Sequence, residues 1–532
     1  MWSTSVRAAA LATLALLPSN ALAGRFADFS HRKQEQVEEL FDKRVTADTN
    51  STAGFRYLNG KTEPYRVKSL PDVHFDLGEI YSGLVPIDEN DLSRQLFFMF
   101  TPTTGDPVDE VTIWLNGGPG CSSLEGFFQE NGPFLWVPGT YEPVKNPYTW
   151  ANLTNMVYVE YPVTTGFSIG KSSATTQEET AADFVKWFKN WQDLFGIQNY
   201  KIYVTGESYA GRYVPYISAA MLDQKDTCYY DLSGAIAYDP CIGSFVYTQE
   251  EAVAVPYVLE NNNILNLNDS FVEELTSLHE SCGYKEYVDK YLTFPAAGVQ
   301  PVGYFDYEKN ASCDVFGMID TAALEVNNCF DIYETVQQCP LLWDVLSFPT
   351  ELAYRPAGAP KTYFNRDDVK KAIHAPMNVT WSICGGQPYV GKQGTGPEQE
   401  GDLSADPIQK VLPQVIEATN RVLIGNGDYD MIIITNGTLL SIQNMTWNGQ
   451  LGFQSKPETP INIAQTDLEW TSVYDKNGYN GIDGPQGTMG IQHYERGLMW
   501  VETFQSGHMQ PEFQPRVAYR HLQWVLGRID SI

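Results

Sequence analysis

Four near-continuous apolar runs recur early in the chain, at residues 95–100, 111–115, 156–161 and 202–204. Runs this short and without polar alternation read as strands covered on both faces. Between the third and fourth runs the period changes. Phe184, Trp187, Phe188, Trp191 and Phe195 fall at helical spacing, with Thr176-Gln-Glu-Glu179 as a capping box in front and Gly196 as a stop. Those aromatics are core positions. Strand, helix, strand in this rhythm predicts a parallel sheet with right-handed crossovers. Residues 232–238 continue the series, and then the rhythm breaks. Residues 248–282 are helical in pattern, and five of the cysteines fall between Cys241 and Cys339. Core character returns near Tyr363, with a helix at 412–419, strands at 421–424 and 498–504, and a closing helix at 515–526. The fold class expected is α/β: a mostly parallel central sheet with helices on both faces. Residues 55–239 and 351–532 form its core, and 240–350 an inserted, disulfide-stapled, mainly helical cap.

The first 54 residues differ in character. Residues 1–23 read as a secretory signal: Arg7, an apolar stretch at 8–17, and the small-residue pattern Ala21-Leu-Ala23. Residues 24–54 are polar and charged. A short helix at 34–41 is expected there, and Lys43-Arg44 is a possible processing step, so the segment reads as an N-terminal arm or a removable pro-segment. Secretion or a vacuole-like acidic compartment fits seven N-x-S/T sites, at Asn50, Asn152, Asn268, Asn310, Asn378, Asn436 and Asn444. It also fits an even cysteine count without metal-type spacing, which implies disulfides. With 65 acidic against 35 basic residues the net charge is −30, which argues against nucleic acid as a partner. No later apolar run is long enough to span a membrane.

Candidate chemistry centres on Gly206-Glu-Ser-Tyr-Ala-Gly211. The apolar run before it and a helix at 213–221 after it give the strand–turn–helix context of a nucleophile elbow, with Ser208 at its tip. A serine nucleophile needs a base and a carboxylate to orient that base. Five histidines follow Ser208: His279, His374, His493, His508 and His521. His508 is favoured because it follows a strand in a tight Gln-Ser-Gly-His loop, the place where such sheets hold catalytic groups. The strand at 421–424 runs into Gly425-Asn-Gly-Asp-Tyr-Asp430, which offers Asp428 and Asp430 equally. An oxyanion hole needs two backbone N–H groups. Tyr209 offers one, and Asn116-Gly-Gly-Pro-Gly-Cys121, after the strand at 111–115, can supply the other.

Trp114-Leu-Asn-Gly-Gly-Pro-Gly-Cys-Ser-Ser123, Gly206-Glu-Ser-Tyr-Ala-Gly-Arg-Tyr-Val-Pro215, Gly427-Asp-Tyr-Asp430 and Gly507-His-Met509 together resemble the serine carboxypeptidase family in order and spacing. The likeness runs over nearly all of residues 55–526 and is greatest to fungal secreted or vacuolar members. It implies release of C-terminal amino acids from peptides and proteins at acid pH, without metal or cofactor. The resemblance assigns Ser208, Asp430 and His508 to the triad, and Gly118 with Tyr209 to the oxyanion hole. To the substrate's terminal carboxylate it assigns Asn116, Gly117, Glu130 (in Gln129-Glu-Asn-Gly-Pro133) and Glu207. Two glutamates beside a carboxylate bind it only if protonated, hence the acid pH. The family further suggests a Cys121–Cys384 disulfide. Cys228–Cys241 and a nested Cys282–Cys339 around Cys313–Cys329 complete the expected pairing. Acyltransferase, esterase or lyase chemistry on the same site is the alternative, and an inactive binding protein a weaker one.

Overall fold

Buried runs end up in the middle of a ten-stranded sheet, and the site is assembled along one edge of its central strands. The computed structural model describes residues 54–303, 310–347, 361–392, 400–463 and 487–532. The signal segment, the expected helix at 34–41, Lys43-Arg44 and Asn50 lie outside the described residues. In chain order the sheet strands are β1 (Tyr81–Asp88), β2 (Asp91–Thr101), β3 (Glu110–Leu115), β4 (Asn155–Glu160), β5 (Lys201–Glu207), β6 (Asp231–Tyr238), β7 (Val422–Gly427), β8 (Thr459–Ile463), β9 (Gly487–Glu495) and β10 (Leu498–Thr503). Their spatial order is β1-β2-β4-β3-β5-β6-β7-β10-β9-β8. The six strands from β4 to β10 are mutually parallel, with an antiparallel pair added at each edge.

The parallel centre is as the apolar runs predict: every residue of β3, β4 and β7 is buried. The edges differ. The run at 95–100 belongs to β2, which pairs antiparallel with both neighbours. Its partner β1 carries Gly83 and Pro86, and the outer half of β2 is polar, so neither has a continuous apolar signature. His493 lies inside β9, just before β10.

Helix α1 (Gln177–Phe195) carries the predicted aromatic face, fully buried against Phe98 and Phe100 of β2. Gly196, at φ +70°, ends it as expected. The capping box does not form as written. Glu179 reaches back to the amide of Thr175 at 2.6 Å, and the Gln177 amide donates to Ser404 Oγ at 2.5 Å. A residue 227 positions away thus serves where Thr176 was expected. Helix α2 (Ala210–Gln224) begins directly behind Ser208–Tyr209.

Adjacent strands β6 and β7 are separated along the chain by residues 239–421. Helices α3 (Ala252–Leu265), α4 (Asp269–Ser281), α5 (Tyr284–Tyr291) and α6 (Val315–Val326) fill much of this excursion. They share a second apolar cluster with Met431, Ile434 and Leu440, which follow Asp430 in the core. Helix α7 (Val411–Thr419) leads back into β7, and α8 (Pro515–Val525) closes the fold. Residues 55–72 and 78–532 form one compact unit.

Of the expected disulfides, Cys121–Cys384 is present. The nested pair is not: Cys282 bonds Cys313, and Cys329 bonds Cys339. Cys282 caps α4 beside the short turn Ala311–Cys313, and Cys329–Cys339 closes a local loop. Cys228 and Cys241 are free thiols. They sit before and after the eight residues of β6, so roughly 25 Å of extended strand separates them. A disulfide needs Cα atoms within ~7 Å.

Candidate active site

Strand β5 delivers the elbow. Ser208 has φ +64°, a left-handed conformation that a non-glycine residue holds only when its surroundings impose it. Here its N–H donates to Tyr238 O at 2.8 Å, and its carbonyl accepts from Gly211 N at 2.8 Å and Cys241 N at 3.0 Å. Register places Glu207 beside Tyr238, Tyr238 beside Gly425, and Gly427 beside Thr503. The carboxyl ends of β5, β6, β7 and β10 are therefore level, and the loops after them converge.

The loops after β7 and β10 bring together two of the predicted residues. Asp430 Oδ2 lies 2.8 Å from His508 Nδ1, both side chains being buried. Asp430 also accepts from Ile432 N at 2.9 Å. Burial holds the imidazole below its usual value, opposed by the Asp239 and Asp331 carboxylates. Burial pushes Asp430 upward, opposed by the amides of Ile432 and Ile433. Among the described residues, the buried His508 Nε2 has no hydrogen-bond partner, so this nitrogen is not engaged by another side chain. Asp428 instead accepts from Ser506 N at 3.2 Å and shapes the loop. The other histidines are elsewhere: His279 on α4, His374 against Ser82 O, His493 paired with Glu495, and His521 buried against Tyr238 OH.

The glycine loop after β3 lies against the elbow. A Cβ on Gly117 would stand 2.4 Å from Tyr209 N and 2.6 Å from Ser208 Cβ, so only glycine permits this approach. Gly118 has φ +108°. The N–H groups of Gly118 and Tyr209 donate to no acceptor among the described residues. Cys121–Cys384 pins this loop from behind, flanked by Ser122 N to Ile383 O at 2.7 Å and Gly385 N to Gly120 O at 3.1 Å.

Beside the elbow is a buried carboxyl cluster. Asn116 Nδ2 donates to Glu207 Oε1 at 2.7 Å and Glu130 Oε1 at 3.1 Å, while Trp114 Nε1 holds Asn116 Oδ1 at 2.8 Å. Glu130 ends a π-helical turn, Gly126–Glu130, a backbone form that recurs at functional sites. Glu130 and Glu207 converge on the one Asn116 amide nitrogen, which holds the two buried carboxyls side by side. Burial pushes Glu130 up to about 7, and burial with the neighbouring Glu130 and Glu125 carboxyls pushes Glu207 well above the usual carboxylate range.

Several contributors escaped the sequence reading. Glu125 is a third buried acid, 3.4 Å from Asn116 Nδ2 and raised by burial. Asp239, the first residue after β6, lies with its carboxyl within 4.8 Å of Asp430 and His508. The Cys329–Cys339 loop grips the loops after β7 and β10: Met431 N donates to Ile332 O at 2.8 Å, Thr335 N to Tyr429 O at 3.1 Å, and His508 N to Tyr333 O at 2.8 Å. The Tyr333 ring lies against His508, centroids 5.0 Å apart. A strand-end acid such as Asp239 carries a positional signal. The Tyr333 contact does not, because it joins parts distant in sequence.

A serine on a strained strand-to-helix turn, a buried acid–histidine pair on neighbouring strand ends and a mixed sheet with a long insertion define an α/β-hydrolase with a serine nucleophile. The family model described as serine carboxypeptidase matches residues 71–528. The chain belongs to the serine carboxypeptidase family and is a serine-type carboxypeptidase, a peptide hydrolase. It is 61% identical to serine-type carboxypeptidase F of Aspergillus niger, over 99% of both chains. It is 42% identical to a probable serine carboxypeptidase of Arthroderma benhamiae, over 89% of this chain and 88% of that one. In fold it resembles the crystal structure of a prohormone-processing carboxypeptidase from Saccharomyces cerevisiae, with TM-score 0.65 and 21% identity over 88% of this chain and 96% of the other. Among the described residues no helix is long and apolar enough to cross a membrane.

Proposed function

We propose that Ser208, His508 and Asp430 form the triad that releases C-terminal residues, and that the Asn116–Glu130–Glu207 cluster reads the free carboxylate. Ser208 Oγ attacks the last peptide carbonyl as its proton passes to His508 Nε2, leaving an imidazolium whose Nδ1–H faces Asp430. The N–H groups of Gly118 and Tyr209 stabilise the oxyanion. His508 then gives its proton to the departing amine as the C–N bond breaks. A water, deprotonated by the same nitrogen, attacks the acyl-enzyme and frees Ser208.

The observation that carries specificity is the buried carboxyl cluster. Protonated, Glu130 and Glu207 donate to a substrate carboxylate together with Asn116 and the Gly117 backbone. Ionised, they repel it. Helices α3 to α6, within residues 240–350, act as the cap over the site. Asn152, Asn268, Asn310 and Asn378 are exposed, and Asn436 and Asn444 half-buried, so the first four are the more accessible glycan sites. Three disulfides suit an oxidising route to the cell exterior or a vacuole-like acidic compartment.

The test is amino-acid release from an N-blocked peptide, as free acid and as C-terminal amide, at about pH 4.5 and about pH 7.5, values that bracket the glutamate titration. Release from the acid at low pH, slower from the amide and absent in Ser208→Ala, is expected. Equal turnover of acid and amide would overturn the carboxylate assignment and favour ester or acyl-transfer chemistry. Full activity of Ser208→Ala would overturn the nucleophile.

A further inference from the structure

Asp239 is the residue between the nucleophile strand and the acid strand. It lies immediately after Tyr238, whose carbonyl holds the Ser208 amide. Its φ of +41° is a left-handed conformation, fixed by donation of its own N–H to Gly425 O at 2.6 Å. Its side chain is wholly buried and held at both oxygens: Gly427 N donates to Oδ1 at 2.8 Å and Gln510 Nε2 to Oδ2 at 2.7 Å. That grip aims the carboxyl at Asp430 and His508, with which it forms a group spanning no more than 4.8 Å. The Asp239 and Asp430 carboxyls lie within 4.8 Å of each other, close enough in this buried setting for the charge on one to oppose charge on the other. The peptidase chemistry requires one acid there, and the structure supplies two.

We propose that Asp239 is a positioning residue of the triad that shares one proton with Asp430, so that the two carboxyls present a single negative charge to His508. This rests on the assignment of Asp430 and His508 as acid and base. Two ionised carboxylates against the imidazole would raise its basicity and keep it protonated in acid. One shared proton removes that penalty while still fixing the orientation of Asp430. Among the described residues, the titratable groups that interact with the pair are Glu207 on β5, Tyr238 on β6, Cys241 just after it, Tyr257 on α3, His508 after β10, and Asp331, Tyr333 and Glu334 of the Cys329–Cys339 loop. None is a fixed cation, so the proton is what limits the negative charge. Burial and the neighbouring Asp430 both raise Asp239, in keeping with a retained proton.

The arrangement also makes Asp239 a reserve acid. With Asp430 replaced by asparagine, burial still raises Asp239 but the repulsion from Asp430 is gone, so it ionises more readily within reach of the imidazolium.

The experiment is a double-mutant cycle on the purified enzyme with a free-acid peptide between about pH 4 and 6, where Glu130 and Glu207 keep their protons. Asp239→Asn alone should lower kcat/KM by less than about threefold, since it keeps a donor to Asp430 and adds no charge. In the Asp430→Asn background the same change should cost at least about tenfold more, and should move the acid limb of kcat/KM down by about one pH unit. Equal factors in both backgrounds, with an unmoved acid limb, would overturn the proposal and leave Asp239 a purely structural residue. Full activity of Asp430→Asn would instead overturn the acid assignment beneath it. Should Asp239→Asn not fold, the downfield Nδ1–H proton resonance of His508 in the wild type gives a second reading. Two titration steps are expected, one for the imidazole and one for the carboxyl pair, and a single step would overturn the sharing.

Discussion

Raising the pH should convert the carboxylate-recognition cluster from a donor site into a repulsive one. Glu130 is pushed up to about 7 and Glu207 well above the ordinary carboxylate range, both first by burial. A peptide's terminal carboxyl, near 3.5, is ionised well below that. From about pH 4 to about 7 the substrate is therefore charged and the cluster neutral, the productive combination. As pH passes through about 7 the first cluster proton is lost. One unit charge about 4 Å from the substrate carboxylate costs about 4 kcal/mol at an effective dielectric of 20. That is a several-hundred-fold loss, so the ionised form contributes almost no binding, and affinity follows the protonated fraction. KM for a free-acid peptide should then rise about tenfold for each pH unit above about 7, or 1.4 kcal/mol per unit. The assay is the ratio of kcat/KM for free acid to that for amide from pH 5 to 8, which cancels the titration of His508. The double variant Glu130→Gln/Glu207→Gln should make the ratio nearly flat. An equally flat ratio in the wild type, or an unchanged slope in the double variant, would refute the reasoning.

Gly117→Ala should reduce kcat by at least about a hundredfold with the fold intact, because the added methyl meets Tyr209 N at 2.4 Å and displaces the elbow or the oxyanion loop; single-turnover kinetics and circular dichroism together check this. Replacing Cys121 and Cys384 by alanine removes a link across 263 residues and should cost about 2–5 kcal/mol of stability, with kcat falling more than KM rises, as read by denaturant melts and kinetics. Thermal stability should also fall between pH 5 and pH 8. Glu130 is raised in the fold from 4.5 to about 7, so its contribution is full below about 4.5 and is lost as pH rises through 7, on the order of 3 kcal/mol. Glu130→Gln should flatten that decline in a calorimetric pH series, and an unchanged slope would mean other buried acids dominate it.

The parts of the molecule that were readable from sequence are those whose signal is local. The centre of the sheet followed from unbroken apolar runs, and α1 from its aromatic spacing and Gly196. The Ser208 elbow and the His508 loop followed from position relative to strands. Choosing Asp430 over Asp428 needed the family resemblance, since both sit in one turn; the structure separates them by which carboxyl meets the imidazole. The misread parts depend on contacts distant in sequence. Ser404 displaces Thr176 as the partner of the α1 amide. Cysteine pairing depended on which ends of α4 and β6 the thiols occupy, which spacing does not report. Glu125 has no local signal and Asp239 only its place at a strand end; folding buries them beside Asn116 and Asp430.

The wide separation of β6 from β7 has a consequence for biosynthesis. Ser208 is made about 300 residues before His508, and the two strands that carry acid and base are added only after the whole helical excursion. An incomplete chain therefore holds a nucleophile with no base to activate it. Since chains emerge amino end first, an unfinished chain would, on the proposed triad, be silent toward the free carboxyl ends of finished neighbours. On that assignment activity cannot begin before β10 docks beside β7, so catalysis waits on closure of the parallel centre of the sheet.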